Sequence, residues 1–361
     1  MAFVNASLAH GGQARGVSFG GCARFLGVPY GTADRFRPPV PCADWSGDAL
    51  EFGPSAPQVP PFCAGDLPPI SESLLGLLYP RGGSPVEGGA VSEDCLRVNV
   101  WTPSVAGARP VMVWLHGGAF LHGSGNEMAF NGDVLASAED VVVVTVTHRI
   151  GLLGFLELDG FDGSGNAGML DIVLALRWVR DNIAGFGGNP SNVTVFGQSG
   201  GGMKGASLLA MPAATGLFHK LIMQSGPALR VSSPEAAASF ALRVMAACGV
   251  SSASGLREIP VEQLLSVQAD LGNGMTPDIT KAMTVGPVRH HVHLPCDLFA
   301  DGAPTYGSDV PLLIGSATHD MAMMLCGIPA YPDATFDTVA GFLGADVVST
   351  YRSLYPVESA P

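Results

Sequence analysis

The sequence predicts an α/β fold: one mostly parallel central sheet covered by helices on both faces. Two segments, VMVWL at 111–115 and VVVVTV at 141–146, are apolar runs bounded by turn residues, as expected of strands buried on both sides. Ile172, Leu176, Val179 and Ile183 recur at helical spacing and predict a helix over 171–183, with Gly185 available to end it. A turn at 187–190 (GGNP), a strand at 193–196 and a small-residue helix over about 200–210 follow, and 220–224 and 310–314 read as further central strands. Strands that alternate with helices pair in parallel, because each crossover needs a helix to return the chain. Residues 1–90 are rich in Gly and Pro, with short strand-like pieces such as 25–29, and a last helical stretch falls at 347–354. No repeat and no linker divides the chain, so residues 1–361 are expected to form one domain.

Composition narrows the function. With 361 residues, 47% apolar and only 14% charged, the chain can bury a large core and is not disordered. The net charge is −13, and the 15 Arg and three Lys are scattered, so neither nucleic acid nor an anionic membrane surface is an expected partner. No apolar run approaches the ~20 residues of a bilayer span, and no secretory leader is evident. Seven cysteines without CxxC spacing read as mostly reduced thiols in a cytoplasmic protein, with one disulfide from Cys95 left open. No cofactor is expected, and oligomeric state is not readable.

The pattern G-x-S-x-G occurs twice, at 16–20 around Ser18 and at 197–201 around Ser199. The pattern acts when a buried strand feeds a sharp turn and a helix starts at once, which lifts the Ser hydroxyl to the strand's C-terminal edge above helix amides. Ser199 has VTVF before it and GGGMKGASLLAM after it, whereas Ser18 precedes glycines and another strand-like run. Ser199 is therefore the nucleophile candidate, and Ser18 reads as a surface turn. A phosphate loop is disfavoured at Ser199, since no Walker-type Lys-Ser/Thr pair follows.

HGGAF at 116–120 directly follows VMVWL. Attack on an ester carbonyl puts negative charge on its oxygen, and backbone N–H groups fixed around that position stabilise it. A glycine-rich loop after a strand, upstream of the nucleophile, suits this work. His116 reads as structural, held beside the loop by hydrogen bonds.

These residues resemble the type-B carboxylesterases of the α/β-hydrolase family. The resemblance runs in family order through FLGVPY at 25–30, RFRPP at 35–39, SEDCL at 92–96, NVWTP at 99–103, HGGAF at 116–120, RIG at 149–151, NAG at 166–168, LRWV at 176–179, NIAGFGG at 182–188, the Ser199 motif, QSG at 224–226 and VPLLIG at 310–315. It implies the α/β-hydrolase fold, with Ser199 as nucleophile and Gly118, Ala119 and Gly200 as oxyanion amides. Asp320, five residues past Gly315, falls where the family carries its triad acid, usually a Glu. Arg35 and Glu93 match a structural ion pair, and Ser225 a supporting hydroxyl.

The sequence departs from the family twice. Gln198 stands where a Glu is common, which argues against cationic choline esters. More seriously, the base of a serine hydrolase follows the acid in chain order, and none of the nine His (10, 116, 122, 148, 219, 290, 291, 293, 319) follows Asp320. The expectation is a sequence with its C-terminal part missing, its catalytic His beyond residue 361, inactive as it stands and exposing apolar sheet. His291 and His293 would share one strand face, but the local sequence offers no third ligand, so no metal is expected. The expected activity is hydrolysis of small to medium carboxylic esters through an acyl-enzyme. The competing reading is a binding or adhesion protein on the same fold, disfavoured because nucleophile and donor loop are both present.

Overall fold

The two apolar runs form neighbouring strands at the centre of the sheet. In the computed structural model, which describes residues 2–42, 44–59, 90–226, 230–272, 285–299, 302–318, 320, 335–337 and 345–354, twelve strands are β1 (Ala2–Ser7), β2 (Gln13–Phe19), β3 (Cys22–Pro29), β4 (Gly31–Thr32), β5 (Val40–Pro41), β6 (Gly47–Asp48), β7 (Arg97–Thr102), β8 (Arg109–Leu115), β9 (Val142–Thr147), β10 (Gly188–Gln198), β11 (Lys220–Gln224) and β12 (Leu312–Gly315). Ten of them make one sheet in the order β1-β2-β3-β7-β9-β8-β10-β11-β12, with β6 beside β2.

The sheet is mixed rather than uniformly parallel. From β1 to β9 neighbours along this order are antiparallel, and from β9 through β8, β10 and β11 to β12 they are parallel. The difference follows from connection length. Hairpin turns such as Gly20-Gly21 join β2 to β3, and tight turns enforce antiparallel pairing. Helices separate the parallel strands: α1 (Asp133–Glu139), α2 (Gly151–Phe155), α3 (Ala167–Asn182) and α4 (Gly200–Leu209), followed by α5 (Pro234–Cys248), α6 (Val261–Gly272) and α7 (Ala345–Leu354).

The central strands are buried on both faces, as their composition requires: all six residues of β9 are buried. α3 begins four residues before the sequence expectation and ends one before it. A 3-10 turn over Ile183–Phe186 follows, and Gly187 (φ 77°), not Gly185, reverses the chain. β10 absorbs most of the expected 187–190 turn, because Gly188 already pairs with Arg109. Ser18 lies inside β2, paired with Ala2 and Ala23, and is not the surface turn its sequence suggested.

One buried ion pair ties the layers. Arg149 donates from Nε and Nη2 to the Asp171 carboxylate at 2.8 and 2.6 Å, and both side chains are inaccessible to solvent. The family-implied pair Arg35–Glu93 is formed, and Arg35 also donates to the backbone carbonyls of Leu256, Arg257 and Ile259. Cys95 is a buried free thiol, pushed up to about 12 by desolvation. At the far edge, Leu312, Leu313 and Ile314 of β12 are exposed among the described residues.

Candidate active site

Register brings the site together. Leu115, at the end of β8, pairs with Gly197 of β10, and Gln198 pairs with Gln224 of β11, which in turn pairs with Gly315 of β12. The four parallel strands thus end in one row. The residues that leave them, His116–Phe120, Ser199, Ser225 and the segment to Asp320, emerge along one sheet edge, where open α/β sheets place their ligands.

The backbone there is strained. Ala119 (φ 51°), Ser199 (φ 53°) and Ser225 (φ 53°) all occupy the left-handed region without being glycine. Such conformations cost roughly 1–3 kcal/mol each and concentrate at functional sites. At Ser199 the surroundings hold the turn. Its N–H donates to Gln224 O at 2.8 Å, its carbonyl accepts from Met203 N at 3.1 Å, and α4 starts at the next residue. Ser199 is half-buried at the strand–helix corner.

The donor loop packs against this corner. A Cβ on Gly117 would lie 3.8 Å from Ser199 Cβ, and one on Gly200 would come within 2.5 Å of the Ala119 amide nitrogen. Gly118 (φ 79°) turns the loop, and its carbonyl accepts from Leu121 N and His122 N at 3.1 and 2.9 Å. Among the described residues the Gly118 and Ala119 amides donate to nothing. Gly200 opens α4, so its N–H has no intrahelical acceptor. The donor loop thus packs against the Ser199–Gly200 corner through Gly117 and Ala119. Asp320 is exposed in the segment after β12, and His319 lies outside the described residues.

A buried polar cluster underlies the loop. Lys204, on α4, donates from Nζ to His116 O at 2.9 Å and lies 3.5 Å from His116 Nδ1. The His116 ring stacks on His148 at 4.8 Å. Each His gives its Nδ1 proton to a backbone carbonyl, of Gly117 and Arg149, and burial first, then Lys204, holds both rings well below the usual imidazole range. Desolvation lowers Lys204 to about 7 and raises nearby Glu127 to about 7. His116 is thus structural, as expected. Lys204, Glu127 and His148 were missed. The available signal was a lysine, one of three in the chain, inside the small apolar helix GGGMKGASLL.

Cavities are modest. One of about 40 Å³ lies beside the donor loop, between Phe120, Met203, Val285, Gly286 and Leu298. A larger one, about 220 Å³, lies by Tyr30, Trp45 and Trp178 and includes no residue of the Ser199 site. Neither cavity is lined by Ser199, Gly118, Ala119 or Gly200; the smaller one adjoins the site through Phe120, which ends the donor loop, and Met203 of α4.

Fold and site together define an α/β-hydrolase of the serine type. The Carboxylesterase family model matches residues 3–342, and the chain belongs to that family. It is 36% identical to the para-nitrobenzyl esterase of Bacillus subtilis (strain 168) over 96% of this chain and 69% of that protein. It is 42% identical to the human cocaine esterase over 58% of this chain and 37% of that one. Among solved structures, a PNB esterase superposes with TM-score 0.78 at 33% identity, covering 98% of this chain and 72% of its own. Carboxylesterase EST55 of Geobacillus stearothermophilus gives 0.80 at 33% identity, covering 99% and 71%.

Proposed function

We propose that this protein hydrolyses small to medium carboxylic esters through an acyl-enzyme on Ser199. The observation that supports the reading is the strained Ser199 turn with the HGGAF loop packed against it at Gly117 and Ala119, and the oxyanion donors we assign are the amides of Gly118, Ala119 and Gly200. Ser199 Oγ attacks the ester carbonyl carbon and loses its proton to a base. The carbonyl electrons move onto oxygen, where the three amides meet the charge. Collapse expels the alcohol, which takes the proton back, and water then releases the acid by the same route. The cavity beside Phe120 and Met203 is small and mainly apolar, with Ser207, Arg230 and Ser232 also on its walls, which suits a short acyl or alcohol group. Cationic substrates are disfavoured, since Gln198 brings no charge to the sheet edge.

The base is an imidazole outside the described residues. His116 and His148 are buried and engaged with backbone carbonyls, and His290 and His293 face Asp162. Asp320, by its position after β12, is the carboxylate proposed to orient that imidazole. The charge, the family and the free thiols described fit a cytoplasmic enzyme acting on small-molecule esters, with no cofactor and no nucleic-acid partner. Among the described residues no helix is long and apolar enough to cross a membrane.

The test is turnover of para-nitrophenyl butyrate by the protein in its longest natural form, beside Ser199→Ala. Loss of turnover in the variant supports the reading; equal rates remove Ser199 from the chemistry and favour a binding protein. Turnover by residues 1–361 alone that His319→Asn abolishes puts the base at His319. Turnover that His319→Asn leaves intact, or that only a longer chain supports, puts it elsewhere.

A further inference from the structure

A second site lies on a different pair of loops. His290 and His293 come from the segment 288–294, and Asp162 comes from the loop before α3. His290 Nε2 is 3.2 Å from Asp162 Oδ1, His293 Nε2 is 3.6 Å from Asp162 Oδ2, and all three ligand atoms lie within 4.8 Å of one another. The third ligand that the local sequence lacks is supplied across the fold. His291 and His293 do not share a strand face as the sequence suggested, because residues 291–293 form a turn closed by mutual His290–Leu294 backbone bonds of 2.9 Å.

The cluster is built rather than incidental. Buried Asn166 clamps the two loops together, donating to Val288 O at 2.8 Å and accepting from Val288 N at 3.1 Å. Phe161 is buried against Phe36 and fixes the backbone next to Asp162, while Leu294 is buried after the histidines. Both imidazoles are mostly buried, and Asp162 opens to solvent as an entry path. His293 Nε2 is a buried nitrogen with no hydrogen-bond partner. Glu157, bonded to Gly165 N at 3.1 Å, adds negative charge close to His290.

We propose that Asp162, His290 and His293 form a binding site for a divalent first-row transition ion of the zinc type, completed by water. Two imidazoles and one carboxylate are a ligand set that borderline ions accept and that hard, oxygen-seeking Ca²⁺ and Mg²⁺ do not. Bonds of ~2.0–2.2 Å in a tetrahedron place neighbouring ligand atoms about 3.3 Å apart, and the two carboxylate–imidazole separations bracket that value. Without the ion, a proton joins His290 to Asp162. His290 Nδ1 accepts from Val292 N and His293 N at 3.2 and 3.4 Å, so the neutral ring carries its proton on Nε2, facing Asp162. For Nε2 to bind the ion, the ring's proton moves to Nδ1, and His290 gives up these two long contacts. The same segment continues from Val285–Pro287, which line the cavity beside Phe120, so the ion braces one wall of that cavity.

Calorimetric titration of the chelator-treated protein with Zn²⁺, together with the absorption spectrum of the Co²⁺ form, tests the site. One saturable equivalent is expected, with no intense thiolate charge-transfer band. Losing an outer partner of a metal site typically costs about 10–100-fold in affinity, so Asp162→Asn and His293→Ala should each weaken Zn²⁺ by at least about tenfold. His291→Ala, outside the ligand set, should not. Asp162 is exposed and its Asn variant has the same shape, so Asp162→Asn reports on binding even where His293→Ala fails to fold. No saturable equivalent, unchanged affinity in Asp162→Asn, or a thiolate band from the cysteines would each overturn the proposal.

Discussion

Ser18 and Ser199 share the same five-residue pattern and the same half-buried exposure, yet only Ser199 sits at a strand–helix corner. Ser18 lies within an antiparallel strand, with a neighbour on each side and a two-glycine turn beyond it. Ser199 ends a parallel strand, with φ at 53° and a helix beginning at the next residue. Parallel pairing makes the difference. In an antiparallel hairpin the strand's end is spent on reversing the chain. Parallel strands all finish at the same edge, so their outgoing loops converge, and amides from one can serve a hydroxyl from another.

The largest way to break this comparison is to remove each hydroxyl. In an ester-hydrolysing form of the chain, Ser199→Ala should reduce kcat by several orders of magnitude, up to about 10⁶, whereas Ser18→Ala leaves the para-nitrophenyl ester rate unchanged. Next come the glycines. Gly200→Ala drives a methyl group into the Ala119 backbone and should displace a donor, costing about 10²–10³ in kcat. Gly20→Ala meets nothing within 4 Å but faces positive φ; it should cost about 1–2 kcal/mol of stability in urea unfolding and no activity.

Ion pairs separate the two regions again. Breaking the buried Arg149–Asp171 pair with Asp171→Ala leaves a desolvated guanidinium, and should destabilise by about 3–5 kcal/mol. The Arg15–Asp48 pair beside Ser18 is exposed, and Asp48→Asn should leave the melting curve where it was.

A pH-dependent contrast belongs to Lys204. Its folded value, about 7, lies below the ordinary 10.5, so between these values the unfolded chain binds more protons. Its contribution to stability therefore rises with pH from about 7 to 10.5 and is flat below. Lys204→Met should remove up to about 3 kcal/mol of rise between pH 7 and 9.5, read from urea midpoints at the two pH values.

Much of this was legible beforehand. VMVWL and VVVVTV announced the central strands because a strand buried on both faces can carry no polar side. Ser199 could be told from Ser18 because flanking residues reveal whether a helix follows. The start of α3 lies four residues earlier than its spacing suggests, since Ala167, Gly168 and Met169 of its first turn are all buried and only Leu170 is part-exposed, leaving little amphipathic edge. The antiparallel half was only glimpsed, because its short strands owe their existence to their partners rather than to local preference.

Chain order and residue type by themselves determined the strand–helix alternation, the nucleophile candidate and the glycine loop ahead of it, because burial and turn geometry leave periodic, local marks. Only the tertiary structure decided that Lys204 lies beneath that loop and that Asp162 meets His290 and His293. Those contacts join distant segments, and their partners are chosen by the register of strands and the docking of loops, which no short window of sequence records.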